Sequence, residues 1–312
     1  MSAEIVRIPE AEEDIKMYIF NVLVGTRACD GRCPCCISGM TPPRGMTSLK
    51  EEPINWERFD RSLTYAKDWQ AETEMLTGKG EPLLFPNQIT EYLRRTKEFE
   101  EKTGFSFKTK EIQTNGIKIG QKPEVYNPLL KEWKALELTT VSISIVHYEE
   151  EPNRKFYIPY EKSYIDLPKL VDRLHDNGLR ARLSCIFIKD HIDSAQKVVE
   201  LIDYSRQHQV DELTIRSMSK PDNSENQAIY KWVTENEIPQ EQKQLITAKM
   251  WRIGEPKTVY PWGAIVFDIK GQNVCLTNCI SPDNLPGTHR LLVFFPQGDI
   301  ATGWTEDAKL LP

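Results

Sequence analysis

Long apolar runs are missing from this sequence, and nothing in it approaches the ~20 apolar residues that a bilayer-crossing helix needs. An excess of positive charge is missing too. Lys and Arg total 40 against 46 Asp and Glu, a formal net charge of −6, so there is no electrostatic drive toward a nucleic-acid backbone. The basic pair Arg154-Lys155 reads as part of a solvated loop. Residues 1–16 hold Glu4, Glu10, Glu12, Glu13 and Asp14 where a secretory signal would show a basic and then an apolar stretch. The expected compartment is therefore the cytoplasm. Internal repeats and low-complexity tracts are also absent.

What is present is an ordinary globular balance, 39% hydrophobic and 28% charged over 312 residues, enough for one large α/β domain or a domain with an appendage. The seven cysteines are the anomaly, because disulfides are not expected in a reducing compartment. Four of them, Cys29, Cys33, Cys35 and Cys36, crowd into one short loop, which packing alone does not explain.

The rest of the chain alternates between two periodicities. Residues 18–24 read as a buried first strand, followed by a Gly-, Cys- and Pro-rich loop to about Pro43. Helical spacing over 55–69 puts Phe59, Leu63 and Ala66 on one face. Strands are expected at 74–77, 107–113, 139–146, 181–188 and 212–217. Helices are expected at 87–102, 130–136, 166–177 and 193–207, with Gly178 as a C-terminal cap. Six strand–helix alternations imply a parallel sheet whose chemistry sits at the carboxyl ends of the strands. After Ser219-Lys220-Pro221 the pattern changes to two helices parted by Pro239, then short strands at 264–269, 273–276 and 291–295, with Lys270-Gly271 a hairpin turn.

The expected architecture is thus α/β, a partial (β/α)6 parallel barrel over 17–220. A lead segment, 1–16, precedes it, and a small α+β extension, 221–312, covers the barrel mouth. The extension's aromatics, Trp251, Tyr260, Trp262, Phe294, Phe295 and Trp304, are expected to form a small core of their own.

Thiolates favour zinc or iron–sulfur clusters. A structural zinc ion needs four ligands, and the fourth available here, Cys35, adjoins Cys36 in a way that rarely suits one tetrahedral ion. Three thiolates on a [4Fe–4S] cluster would leave one iron open to a chelating cofactor. The spacing Cys29-x3-Cys33-x2-Cys36, directly after a first strand, resembles the signature of the radical S-adenosylmethionine (SAM) superfamily. Gly78-Lys79-Gly80-Glu81-Pro82 after the second strand resembles that family's G-x-G-E-P motif, and Thr114-Asn115-Gly116 after the third is similar to its T-N-G turn. Across residues 18–219 the appearance is closest to the molybdenum-cofactor GTP cyclase-like and peptide-maturase branches.

The resemblance implies that Cys29, Cys33 and Cys36 bind the cluster and that SAM chelates the open iron. It further implies reductive cleavage of SAM to a 5′-deoxyadenosyl radical that abstracts hydrogen from a substrate. Gly78, Gly80, Glu81, Asn115, Ser142, Ser144, Ser184 and Arg216 are the implied SAM contacts. An electron donor such as a flavodoxin or ferredoxin is the implied redox partner. One position departs from the pattern: Cys35 stands where the family commonly has an aromatic residue. A spacing with Cys35 as third ligand is the other possible assignment.

Bland readings stand beside these. Ser142 and Ser144 share one strand face and could be satisfied core hydroxyls. Ser184 and its neighbour Cys185 must face opposite ways, with Cys185 expected to pack. Arg216 could be a rim ion-pair partner, and His147 a surface residue. Cys275 and Cys279 in the extension leave three readings open: part of an auxiliary cluster, a thiol that delivers a hydrogen atom, or packing. The extension lacks the cysteine-rich tail of many peptide maturases, and only about 16 residues precede the first strand. A small-molecule or nucleotide-derived substrate is therefore expected, with a ribosomally made peptide as the alternative. A non-catalytic iron–sulfur protein is the competing class.

Overall fold

The computed structural model describes residues 16–41, 44, 46–51, 53–157, 164–218, 220, 224, 226–278, 288–304 and 308–312. Cys279, and Ser219 and Pro221 of the expected boundary, lie outside the described residues.

Alternation begins at once. Strand β1 (Lys16–Leu23) leads through the cysteine loop to helix α1 (Trp56–Asp68), then β2 (Thr73–Thr77), α2 (Pro86–Thr103) and β3 (Thr109–Thr114). Two helices, α3 (Ile117–Gln121) and α4 (Pro123–Ala135), lead to β4 (Thr140–Ile145). Helices α5 (Glu150–Tyr157) and α6 (Leu167–Asp176) precede β5 (Arg180–Phe187), and α7 (Ala195–Gln207) precedes β6 (Glu212–Ser217). The remainder holds α8 (Gln227–Asn236), α9 (Gln240–Ile253), β7 (Glu255–Val259), β8 (Ile265–Ile269), β9 (Gln272–Asn278), β10 (Thr288–Phe294) and β11 (Ile300–Ala301).

Local chemistry fixes these boundaries. Asn55 caps α1 by accepting from Arg58 N at 3.1 Å, and Asp166 caps α6 by accepting from Lys169 N at 3.1 Å. Gly178 takes the left-handed conformation just past α6 (φ 73), as its place in the sequence requires. Lys270 and Gly271 both have positive φ and form the two-residue hairpin turn between β8 and β9. Helix α4 runs further back than residue 130, because Pro123 occupies its first turn, where the missing N–H costs nothing.

All of these strands join one sheet, in the order β11-β10-β1-β2-β3-β4-β5-β6-β9-β8-β7. From β10 through β1 to β6 and on to β9, every neighbouring pair is parallel. The last third of the chain thus extends both edges of the six-strand sheet, β9 beside β6 and β10 beside β1. The two ends of the sheet curl together. Tyr18 of β1 meets Tyr260 and Trp262, between β7 and β8, at ring distances of 5.7 and 4.6 Å, and Arg290 of β10 lies over the Trp262 ring at 5.6 Å.

The expectation of a separate aromatic core in the extension holds only in part: Trp251 meets Phe267 at 5.3 Å and Tyr260 stacks on Trp262 at 4.6 Å, but other rings pack against the barrel. Phe294 packs on Phe59 of α1 at 5.2 Å, and Phe295 and Trp304 share a small cluster with Leu23 of β1 and Met46.

Alternation sorts the sheet into two faces. Ile112, Val141, Ile143, Ile145, Leu183, Cys185, Leu213, Ile215 and Val274 are buried in the main apolar core. The opposite face, which lines the barrel interior, carries Glu111, Ser142, Arg182, Ser184, Glu212, Thr214, Arg216 and Cys275. There Arg182 pairs with both Glu111 and Glu212 across three strands. Among the described residues no helix is long and apolar enough to cross a membrane.

Candidate functional site

The thiols lie in an irregular loop held by other loops. Gly25 opens it in the left-handed conformation, its N–H donating to Gln88 Oε1 at 2.7 Å. Gly31 N donates to Cys29 Sγ at 3.3 Å, and a Cβ placed on Gly31 would lie 3.7 Å from Cys29 Sγ and 3.8 Å from Cys33 Sγ. Cys36 N donates to Cys33 O at 3.2 Å, and Cys36 opens the short helical turn Ile37–Gly39. Cys29, Cys33 and Cys36 are partly exposed, whereas Cys35 is buried in the main core. Burial pushes the Cys29 thiol up to about 12, and burial pushes Cys33 well above the usual thiol range, with its neighbours Cys35, Cys36 and Cys29 adding to the effect. As free thiols they stay protonated, and only a bound cation would make thiolates of them.

Glycine at 80 is a steric requirement. A Cβ there would come within 2.0 Å of Ala28 O and 2.7 Å of Thr26 O, so the backbone of the Gly78–Pro82 turn lies directly against the approach to Cys29. Glu81 N donates to Ala28 O at 2.9 Å. The Glu81 side chain then joins this turn to the next. Its Oε1 accepts from Leu83 N at 3.0 Å and Thr114 Oγ1 at 2.5 Å, and its Oε2 from Asn115 N at 2.9 Å. Burial raises the Glu81 carboxyl to about 7 despite these bonds. Oε2 keeps an acceptor position for another donor. Asn115 Nδ2 donates to Asp30 Oδ1 at 2.6 Å, and Lys118 stands 3.5 Å from Asp30 Oδ2. Arg32 N donates to Tyr157 O at 2.8 Å, which ties the loop to the end of α5. Three loops, after β1, β2 and β3, are thereby locked into one unit.

Inside the barrel several polar atoms are buried without a partner. Ser142, 1% exposed, has no partner for Oγ, nor has Asn21 on β1 for Oδ1 or Arg216 for Nε. Buried polar groups are ordinarily satisfied, so orphans sharing one lumen mark where a polar ligand fits. Ser144 and Ser184 share that face, and Cys185 faces the apolar core as its neighbour's orientation demands. Cys275 pairs with Thr214 in register. Burial raises its thiol, while Arg216, Arg182 and Arg290 pull the other way. No auxiliary site is assembled around it among the described residues. His147 is half-buried against the Tyr148 ring at 4.5 Å, and its Nδ1 accepts from Glu149 N at 3.0 Å.

Among the described residues no three Cys, His, Asp or Glu side chains converge closely enough to hold a single metal ion. A tetrahedral ion with Zn–S of about 2.3 Å draws its thiolates to roughly 3.8 Å of one another, whereas a [4Fe–4S] cube takes each thiolate on a different iron and spaces them more widely. The donors present, three thiols on one braced loop, fit the cluster.

Sequence reasoning passed over four participants: Asn21, Asp30, Lys79 and the Tyr157 carbonyl. Asn21 gave a readable signal, as a lone amide in an apolar strand. The others act through partners far away in sequence.

The chain matches the family model described as the Radical SAM superfamily over residues 23–233. No curated protein sequence matches it. Among solved structures it is similar to Streptococcus suis SuiB bound to S-adenosylmethionine, with 14% identity and a TM-score of 0.55 over 96% of this chain and 61% of that one. It is also similar to methylornithine synthase (PylB), with 11% identity and a TM-score of 0.51 over 86% of this chain and 74% of that one. These likenesses speak for the fold, and the chain spans about three-fifths of the length of SuiB.

Proposed function

The chain belongs to the radical SAM superfamily, and from that membership we propose that it is an enzyme which reductively cleaves SAM and abstracts hydrogen from a polar small-molecule or nucleotide-derived substrate held in the barrel. The observation that carries this reading is the brace joining the three loops: Glu81 binds the turn at Thr114-Asn115, and Asn115 binds Asp30 inside the thiol loop.

In this reading Cys29, Cys33 and Cys36 would hold a [4Fe–4S] cluster and leave one iron for SAM. When bound, the cluster supplies the electron that splits SAM into methionine and a 5′-deoxyadenosyl radical. The chain's own residues do the positioning. Gly78 and Gly80 let the motif backbone reach the thiol loop, and Glu81 Oε2 offers its remaining acceptor position to the SAM ammonium. Ser142, Ser144, Ser184 and Arg216 would bind polar parts of SAM from the lumen side, where Ser142 Oγ and Arg216 Nε lack partners. Residues 17–220 would be the cofactor-binding barrel, and 221–312 an extension whose strands flank it and close its lumen. A low-potential carrier of the flavodoxin or ferredoxin kind would supply the electron.

The polar lumen supports a small polar substrate over an apolar one. Anaerobic reconstitution with iron and sulfide, followed by assay for 5′-deoxyadenosine from SAM under strong reductant, tests the reading. A detectable yield even without substrate is expected. A fully loaded protein that makes none would shift the balance to a non-catalytic iron–sulfur protein.

A further inference from the structure

Lys79 occupies the one variable position inside Gly78–Pro82, and the reading above gives it no task. It is 4% exposed. Its ammonium donates to Thr41 Oγ1 at 2.6 Å and lies 5.1 Å from the centre of the Trp304 ring. The flanking glycines fix its backbone, since a Cβ on Gly78 would meet Val24 O at 3.0 Å and one on Gly80 would meet Ala28 O at 2.0 Å. Thr41 in turn donates from Oγ1 to Ile37 O at 3.0 Å, next to Cys36 in the chain. Lys79 therefore straps the far limb of the thiol loop to the turn after β2.

The strap does not need a charge, yet it has one. Among the described residues no carboxylate pairs with Lys79. The group that favours its charged form is Cys36, while Arg27 and Arg44 oppose it, and burial brings its ammonium down to about 8. A buried ammonium without an anion is costly. A buried ammonium bonded to this limb of the loop makes physical sense if an anion resides there. A cluster bound by three thiolates is such an anion, and it gains negative charge on reduction.

We infer that Lys79 is the built-in counter-charge of the cluster on the Cys36 side, raising its reduction potential by favouring the state with one more electron. Net charge and local environment set the potentials of such clusters, and a fixed cation in a desolvated site is screened less than one at the surface. The inference rests on Cys36 being a cluster ligand, as proposed above.

The test compares wild type with Lys79→Met, Lys79→Gln and Lys79→Arg, each reconstituted anaerobically without SAM. Iron is counted, and the midpoint potential is read by redox titration at one fixed pH, following the electron paramagnetic resonance signal of the reduced cluster. All four proteins are expected to hold about four irons, as one [4Fe–4S] cluster requires. At a fixed poise the reduced-to-oxidised ratio in the Met and Gln variants should fall about tenfold, equivalent to about 59 mV for a one-electron couple. The Arg variant should stay within about twofold of wild type, a ratio on that same one-electron scale.

Unchanged potentials in both neutral variants at full iron content would overturn the inference. So would loss of iron in both with retention in the Arg variant, which would make Lys79 a residue for holding the cluster. The Gln variant can keep the bond to Thr41, so a folding defect in the Met variant leaves the test decisive. A wild type that takes up no iron is a different failure, because it removes the ligand reading itself.

Discussion

The loop of Cys29, Cys33 and Cys36 and the strand of Cys275 treat a buried thiol in opposite ways. Each loop thiol sits on backbone without regular structure; Gly31 N bonds Cys29 within the loop, and bonds from other loops, Glu81 N to Ala28 O and Asn115 to Asp30, hold it in place. Cys275 is positioned by the sheet ladder alone, opposite Thr214. Surroundings differ as well. Burial holds the Cys29 and Cys33 thiols above the usual range, and neighbouring thiols of the loop add to it. Around Cys275 burial and Glu212 raise the thiol while Arg216, Arg182 and Arg290 lower it, and Arg182 is itself paired with Glu111 and Glu212. One region crowds several thiols into a loop; the other sets a single thiol among charges of both signs.

The largest expected effect breaks the comparison at its root. Replacing Cys29, Cys33 or Cys36 singly with Ala should abolish the brown colour and nearly all bound iron, while Cys275→Ala keeps both, as measured by iron content and absorbance after anaerobic reconstitution. Equal iron loss in Cys275→Ala would show that the two regions share a centre.

Next in size is Gly80→Ala. The added methyl would strike the carbonyls of Ala28 and Thr26, and backbone cannot yield as a side-chain tip can. A loss of about 3 kcal/mol is expected from overpacking of this kind, read from the urea midpoint, with reduced iron uptake. A midpoint within the error of wild type would mean that the loop is not held in this position.

A third test sharpens the Cys275 side. Arg216 favours the thiolate there, so Arg216→Gln should move the pH profile of Cys275 alkylation upward. At a fixed alkaline pH labelling should slow, because the loss of a cation raises the thiol further, with the site identified by mass spectrometry. A downward move would place the arginine elsewhere.

Smallest is Cys35→Ala. This thiol packs in the apolar core, so the variant should keep its iron and lose about 1 kcal/mol of stability, near the common value for one substitution. Loss of iron in Cys35→Ala with retention in Cys36→Ala would exchange their assignments.

Much of this was legible before any fold was known. The six barrel strands and their helices follow from apolar periodicity, and the Gly178 cap and Lys270-Gly271 turn from the left-handed conformations glycine allows. Two stretches and one strand pairing were not legible. Helix α5 is short and strongly charged, and its start depends on Asn153 accepting from Val146 N and His147 N. Strand β7 is fully exposed and has no apolar alternation to betray it. Strand β10 pairs with β1 although the whole sheet separates them in sequence.

The sequence by itself determined the chemistry: three cysteines in a short loop after a strand, a Gly-x-Gly-Glu-Pro turn and a Thr-Asn-Gly turn are local patterns, and locality is what spacing can encode. Only the tertiary structure decided how those patterns act together. It showed that Glu81 bridges two loops, that the last strands complete the sheet, and that a lysine inside the motif is sealed beneath Trp304 beside the thiols. Such facts depend on contacts between distant segments, made when the apolar face of the sheet is buried, and no run of neighbouring residues records them.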